Sequence, residues 1–194
     1  ILWDRKTGTI VSNESAEIIR MFNSAFDAWG DPSLDFYPQH LRAEIEKINK
    51  LVYETVNNGV YKAGFAKSQD AYEEAVKALF DTLDLLEGRL SQPRYRAGGL
   101  VTEADWRLFT TLVRFDHVYH GHFKCNLRRI ADHPNLFGYL RDLYQLEGIA
   151  ETVDFATIKA HYYGSHESVN PSGIVPVGPD IDLTFPHQRQ KLAA

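Results

Sequence analysis

Apolar residues recur three and four positions apart over most of the chain, and this spacing predicts a run of amphipathic helices. Ile18, Ile19, Phe22 and Phe26 mark the first, opened by Asn13-Glu14-Ser15. Two prolines place a loop over 31–38. Leu41, Ile45, Ile48, Leu51, Val52 and Val56 then share one face of a helix spanning about 39–57, with Asn58-Gly59 as its stop because both residues tolerate the left-handed conformation. Residues 60–65 read as an aromatic connector. Ser68 caps a helix running to about Leu90, and Tyr72, Val76, Leu79, Phe80, Leu83 and Leu86 form its stripe. Pro134 suits the first turn of a further helix, with Leu136, Tyr139, Leu140 and Leu143 on its buried side. A short helix is expected at about 155–163. Only residues 1–11 favour strands, as a hairpin around Asp4-Arg5-Lys6-Thr7-Gly8. Two strands alone are marginal in water, so this hairpin is expected to be the edge of a larger sheet.

The stretch 98–123 organises the rest. Thr102 and Asp105 have capping-box spacing, and Val101 and Trp106 have that of a hydrophobic staple. Beyond them Phe109, Leu112, Val113 and Phe115 give a helix expected at the centre of a bundle, delivering Tyr119 to one end. Residues after Gly164 show little periodicity and are expected to form an extended tail.

Composition narrows the class. The chain has 194 residues, 44% of them hydrophobic, and a formal net charge of −5 with scattered basic residues, which argues against nucleic acid as a partner. No apolar run has the length of a membrane span. One cysteine, Cys125, allows no internal disulfide and fits a reducing, cytoplasmic setting. The chain begins with Ile1 and its one methionine is Met21, so it reads as starting partway through a longer protein. Lys191-Leu192-Ala193-Ala194 fits a vector-derived remnant and native sequence equally well.

The hairpin, Glu14-Ser15 at a helix start and the Thr-x-x-Asp box resemble a glutathione transferase. More specific strings resemble the glutathionyl-hydroquinone reductases, the xi class of that superfamily: Asn57-Asn58-Gly59-Val60-Tyr61-Lys62-Ala63-Gly64-Phe65, Thr102-Glu103-Ala104-Asp105-Trp106-Arg107-Leu108, Gly121-His122-Phe123-Lys124-Cys125-Asn126 and His161-Tyr162-Tyr163. The resemblance implies a mainly α fold. Residues 1–30 would be the end of a thioredoxin-like glutathione-binding domain, 31–164 the all-α C-terminal domain, and 165–194 the tail. It implies glutathione as co-substrate, glutathionylated hydroquinones as substrates and a homodimer. The family's nucleophile is a cysteine in a Cys-Pro-Trp-type motif that these 194 residues do not contain, and Cys125 is not expected to replace it. The chain alone is therefore expected to be inactive, supplying the hydroquinone pocket and part of the glutathione site.

By resemblance, Tyr61 exchanges a proton with substrate while Tyr119 and Tyr162 hold the thiolate. Glu14 takes the γ-glutamyl ammonium, and Ser15 with the adjoining helix N–H groups takes its carboxylate. From the residues alone, Glu14 and Ser15 are equally a simple helix cap, and the tyrosines equally amphipathic residues at the core boundary. A shared pocket requires the three tyrosines within about 15 Å of one another. The cluster His117, His120 and His122 lacks clear metal-ligand spacing and is read as core or solvent histidine, with no metal expected. Arg107, Arg114, Arg128 and Arg129 are read as paired or solvated. A conjugating glutathione transferase and a non-catalytic transferase-like interaction module are the alternatives.

Overall fold

The computed structural model describes residues 1–192. Of the residues compatible with a vector remnant, Ala193 and Ala194 lie outside the described residues.

The hairpin forms as expected. β1 (Leu2–Asp4) pairs antiparallel with β2 (Thr9–Ser12), with Trp3 opposite Ile10 and Asp4 opposite Thr9. The Asp4 carboxylate accepts the Lys6 and Thr7 N–H groups and closes the turn. Trp3, Ile10 and Val11 remain exposed. The helix α1 (Ser15–Phe22) follows, capped by Glu14. It stops four residues before Phe26, and 23–30 is a series of turns rather than a continuation. None of its residues is buried. An ion-pair network ties it to the bundle instead: Arg20 donates to Glu103 at 3.1 and 2.7 Å and to Glu46 at 2.6 Å, and Asn49 donates to Glu103 at 2.7 Å.

The remaining helices pack around one core. The predicted helix over 39–57 is present but not uniform: a short 3-10 turn leads into α2 (Arg42–Val52), and Tyr53–Asn57 widens into a π-helical turn closed by the Asn58 N–H on the Tyr53 carbonyl at 2.9 Å. Asn58-Gly59 does not stop the helix. Asn58 is right-handed (φ −83°), and residues expected to be a connector form α3 (Gly59–Gly64). A Cβ added to Gly59 would lie 3.8 Å from the Leu79 side chain of α4 (Gln69–Arg89), an ordinary contact, so the helix runs through this glycine without demanding it. Ser68 caps α4 as expected, accepting the Ala71 N–H.

The central helix α5 (Glu103–Arg114) starts at the Thr102–Asp105 box. The Asp105 carboxylate accepts the Thr102 N–H and hydroxyl, the Arg96 N–H and the Tyr139 hydroxyl, all at 2.8–3.0 Å. Four hydrogen bonds satisfy a carboxylate that is otherwise costly to bury. Ala104, Leu108, Leu112 and Phe115 are fully buried, as the apolar pattern requires. A second π-helical turn, Phe115–Tyr119, continues α5. α6 (Pro134–Tyr144) and α7 (Phe155–Ser165) complete the bundle, with Asp154 capping α7.

The tail runs over the surface and is held by side chains from the bundle. Lys159 donates to the Pro176 and Val177 carbonyls, and Gln145 to those of Leu183 and Phe185. Near its end buried Arg189 points inward and donates to the Pro93, Arg94 and Asn135 carbonyls. No helix among the described residues is long and apolar enough to cross a membrane.

Candidate functional site

Three elements converge at one end of α5. The first π turn leads into α3 and Tyr61. The second carries Tyr119, and α7 packs against it with Tyr162. A π turn inserts a residue into the helical register and re-aims every side chain after it, so both turns set where these hydroxyls point. The outcome is a row of three phenols. Tyr61 Oη is 2.6 Å from Tyr162 Oη, and Tyr162 Oη is 2.9 Å from Tyr119 Oη. Exposure falls along the wall, from 38% for Tyr61 to 8% for Tyr162 and 2% for Tyr119.

Phe123 supports the row from behind. Its fully buried ring stacks on Tyr119 with centroids 5.6 Å apart and planes 14° apart, and it lies 5.4 Å from the Tyr61 ring. Gly64 makes this approach possible, because a Cβ there would fall 2.2 Å from the Phe123 ring.

The tyrosines share a cavity of about 630 Å³ with Glu14 and Ser15 of α1 and with Tyr53, Asn57, Arg107, Thr110 and Arg114. All five residues singled out from the sequence therefore line one space. The Ala16 N–H donates to Glu14 Oε1 at 3.2 Å, so Glu14 caps its helix through one oxygen. A second cavity of about 380 Å³, lined by Phe22, Phe26, Leu34, Phe36 and Trp106, is mostly apolar and lies outside this row.

Burial dominates the electrostatics. It raises the Tyr119 phenol well above its usual range, with Tyr162 adding to the rise. It also raises Tyr162 to about 12, while the Tyr119 hydrogen bond and the Arg114 charge act in the opposite direction. Fully buried Cys125 is pushed up to about 12 by the same desolvation, so its thiol stays protonated. The histidines go different ways. His117 stacks on Phe155 with centroids 4.1 Å apart, and His122 Nε2 is 3.1 Å from His166 Nδ1.

Sequence reasoning missed Asn57 and Arg114 as cavity residues. Asn57 donates to the Arg107 carbonyl and to Thr111 Oγ1, joining the first π turn to α5. A signal was present: Arg107, Thr110 and Arg114 recur at i, i+3 and i+7, a polar stripe on a mostly buried helix.

Residues 69–142 match the family "Glutathione S-transferase, C-terminal domain". The chain is 59% identical over 189 residues to glutathionyl-hydroquinone reductase YqjG of Escherichia coli, covering 97% of this chain and 58% of that protein. It is 60% identical over 179 residues to glutathionyl-hydroquinone reductase PcpF of Sphingobium chlorophenolicum, covering 92% and 57%. The glutathione-bound structure of YqjG superposes with a TM-score of 0.95, covering 97% of this chain and 61% of that one. A xi-class glutathione transferase of Natrialba magadii, 51% identical, also gives 0.95, covering 98% and 58%. The chain belongs to the xi-class glutathione transferases. It spans somewhat more than half the length of these relatives. The helical bundle is the larger part of what is described, and the hairpin is the one sheet element among the described residues.

Proposed function

We propose that this chain is the hydroquinone-binding part of a glutathionyl-hydroquinone reductase, acting with glutathione to reduce glutathionyl-hydroquinones to hydroquinones. The row Tyr61–Tyr162–Tyr119, opening on a cavity shared with Glu14 and Ser15, is the observation that carries the reading. Thiol exchange requires a cysteine thiolate close to the adduct sulfur. Cys125, buried and protonated, is unsuited to that role, and the proposal assigns the nucleophile to no residue of this chain.

The division of labour follows from exposure and proton count. Two O–H···O links use two of the three phenolic protons. When Tyr119 donates to Tyr162 and Tyr162 to Tyr61, the remaining proton sits on Tyr61, the residue most open to the cavity. Tyr61 then donates to a quinol oxygen, and when a thiolate arrives at the buried end the Tyr119 and Tyr162 O–H groups turn from their links to donate to the sulfur instead. Glu14 keeps one oxygen for the γ-glutamyl ammonium, and Ser15 with the α1 N-terminus takes the carboxylate. The proposal calls on no metal. It includes a cytoplasmic homodimer, and the division into 1–30, 31–164 and 165–194 given above.

The test is an assay of a protein that carries this chain with a Cys-Pro-Trp domain, using a glutathionyl-hydroquinone against a chlorinated aromatic. Reduction of the first with little conjugation of the second is expected. Conjugation alone would make the protein a conjugating transferase, and neither reaction would leave a non-catalytic interaction module. The 194 residues by themselves are expected to give no turnover.

A further inference from the structure

One positive charge on the cavity wall has no ion-pair partner among the described residues. The cavity's charged walls are Glu14, Arg107 and Arg114. Arg107 belongs to the network below it, 3.8 Å from Glu103, which also takes Arg20. Arg114 is different. Its Nη1 donates to the Thr110 carbonyl at 2.6 Å, and among the described residues it makes no ion pair. The nearest acid in sequence, Asp116, is turned elsewhere and accepts the Ile130 and Ala131 N–H groups. Arg114 is half-buried and its charge is felt at Tyr162. A guanidinium with open donors beside a row of phenols is a seat for an anionic oxygen, and a carboxylate matches its fork.

We propose that Arg114 binds a carboxylate of the ligand held against Tyr61, Tyr162 and Tyr119, so that the cavity selects aromatic diols that carry an acidic group. This deepens the reading above and rests on it only for the name of the reaction, because binding is measurable without turnover. The same chemistry has two sources, an acid on the aromatic ring or a carboxylate of glutathione.

The experiment is calorimetric titration, at pH 7, of the whole protein that contains this chain with hydroquinone, 2,5-dihydroxybenzoate and glutathione, for the unaltered protein, Arg114→Gln and Arg114→Lys. The carboxylated ring is expected to bind at least about tenfold more tightly than hydroquinone, as hydrogen bonds to a charged group do. In Arg114→Gln that ratio is expected to fall to near one, and Arg114→Lys to keep part of it because the charge remains without the fork. If Arg114→Gln weakens glutathione equally and glutathione displaces 2,5-dihydroxybenzoate, the seat is that of glutathione's carboxylate. Equal binding of the two rings, with glutathione affinity unchanged in Arg114→Gln, would overturn the proposal. Selective binding without reductase turnover would sink the functional reading and leave the anion seat standing.

Discussion

The Tyr61 hydroxyl meets that of Tyr162 at 2.6 Å across 101 residues of sequence. The contact joins α3 to α7, and Tyr162 passes it on to buried Tyr119. Tyr162 is therefore the middle member. Tyr162→Phe removes both links and leaves the Tyr119 hydroxyl without its partner, a loss of about 1–3 kcal/mol in unfolding free energy for a buried polar group. Tyr119→Phe in the same background is expected to recover part of that loss. Urea unfolding of the two single variants and the double variant measures the coupling, and strict additivity would contradict the row.

Catalytic effects should be graded by exposure. Tyr61→Phe, at the open end, is expected to lower kcat of the complete enzyme by about a hundredfold, as loss of a proton donor does. Tyr119→Phe is expected to act through the thiolate, moving the acid limb of the pH–rate profile upward. Unchanged rates in Tyr61→Phe, Tyr119→Phe and Tyr162→Phe together would count against the whole assignment.

Gly64→Ala should displace Phe123. The added methyl falls inside the ring, so the ring or α3 must move, at a cost of about 1–3 kcal/mol typical of overpacking. Because Phe123 stacks on Tyr119, turnover should fall as well. Phe123→Leu combined with Gly64→Ala is expected to regain stability relative to Gly64→Ala alone, and a lower urea midpoint in the pair would refute the contact.

The Arg20–Glu103 link predicts an asymmetric pair of variants. Arg20→Met leaves Glu103 buried with Asn49 and a more distant Arg107, whereas Glu103→Gln leaves Arg20 beside Glu46. Arg20 is about one third exposed, which discounts its contribution, so Arg20→Met is expected to cost about 1–3 kcal/mol and Glu103→Gln less. Denaturant unfolding followed by tryptophan fluorescence ranks the two.

Acid should weaken the fold through two buried histidines. Burial lowers His117 and His122 to about 4 from an ordinary value of 6.5, with Lys159 adding at His117 and His166 and Lys124 at His122. Both are neutral in the folded chain, while the unfolded chain takes up protons below 6.5. Their stabilisation is thus full above 6.5 and declines as pH falls towards 4. His117→Phe, which keeps the stack on Phe155, should flatten the urea midpoint between those pH values. A profile as steep as that of the unaltered chain would exclude His117 as a cause.

Much of the bundle was legible in its periodicity, because α2, α4, α5 and α6 each bury one apolar stripe. Asn58-Gly59 misled because both residues permit a left-handed stop and neither compels one. Here Asn58 stays right-handed and the chain continues into α3. The tyrosines were found through family strings and not through spacing. Nothing local distinguishes Tyr119 from Tyr139, whose hydroxyl serves Asp105. Arg20 and Glu103 were missed because their pairing spans 83 positions and leaves no periodic trace. Gly64 is meaningful only once Phe123 lies against it.

The tail is gripped largely through its main chain. Lys159 and Gln145 hold carbonyl oxygens of Pro176, Val177, Leu183 and Phe185, and two side chains of the tail add to the hold, Leu183 buried in the core and Arg189 in its carbonyl nest. Carbonyls are common to all residues, so the route of this segment is written in the helices it crosses. Apart from Leu183 and Arg189 its own letters are free to drift over generations as long as its length is kept, and a deletion ahead of Arg189 would do more harm than most substitutions.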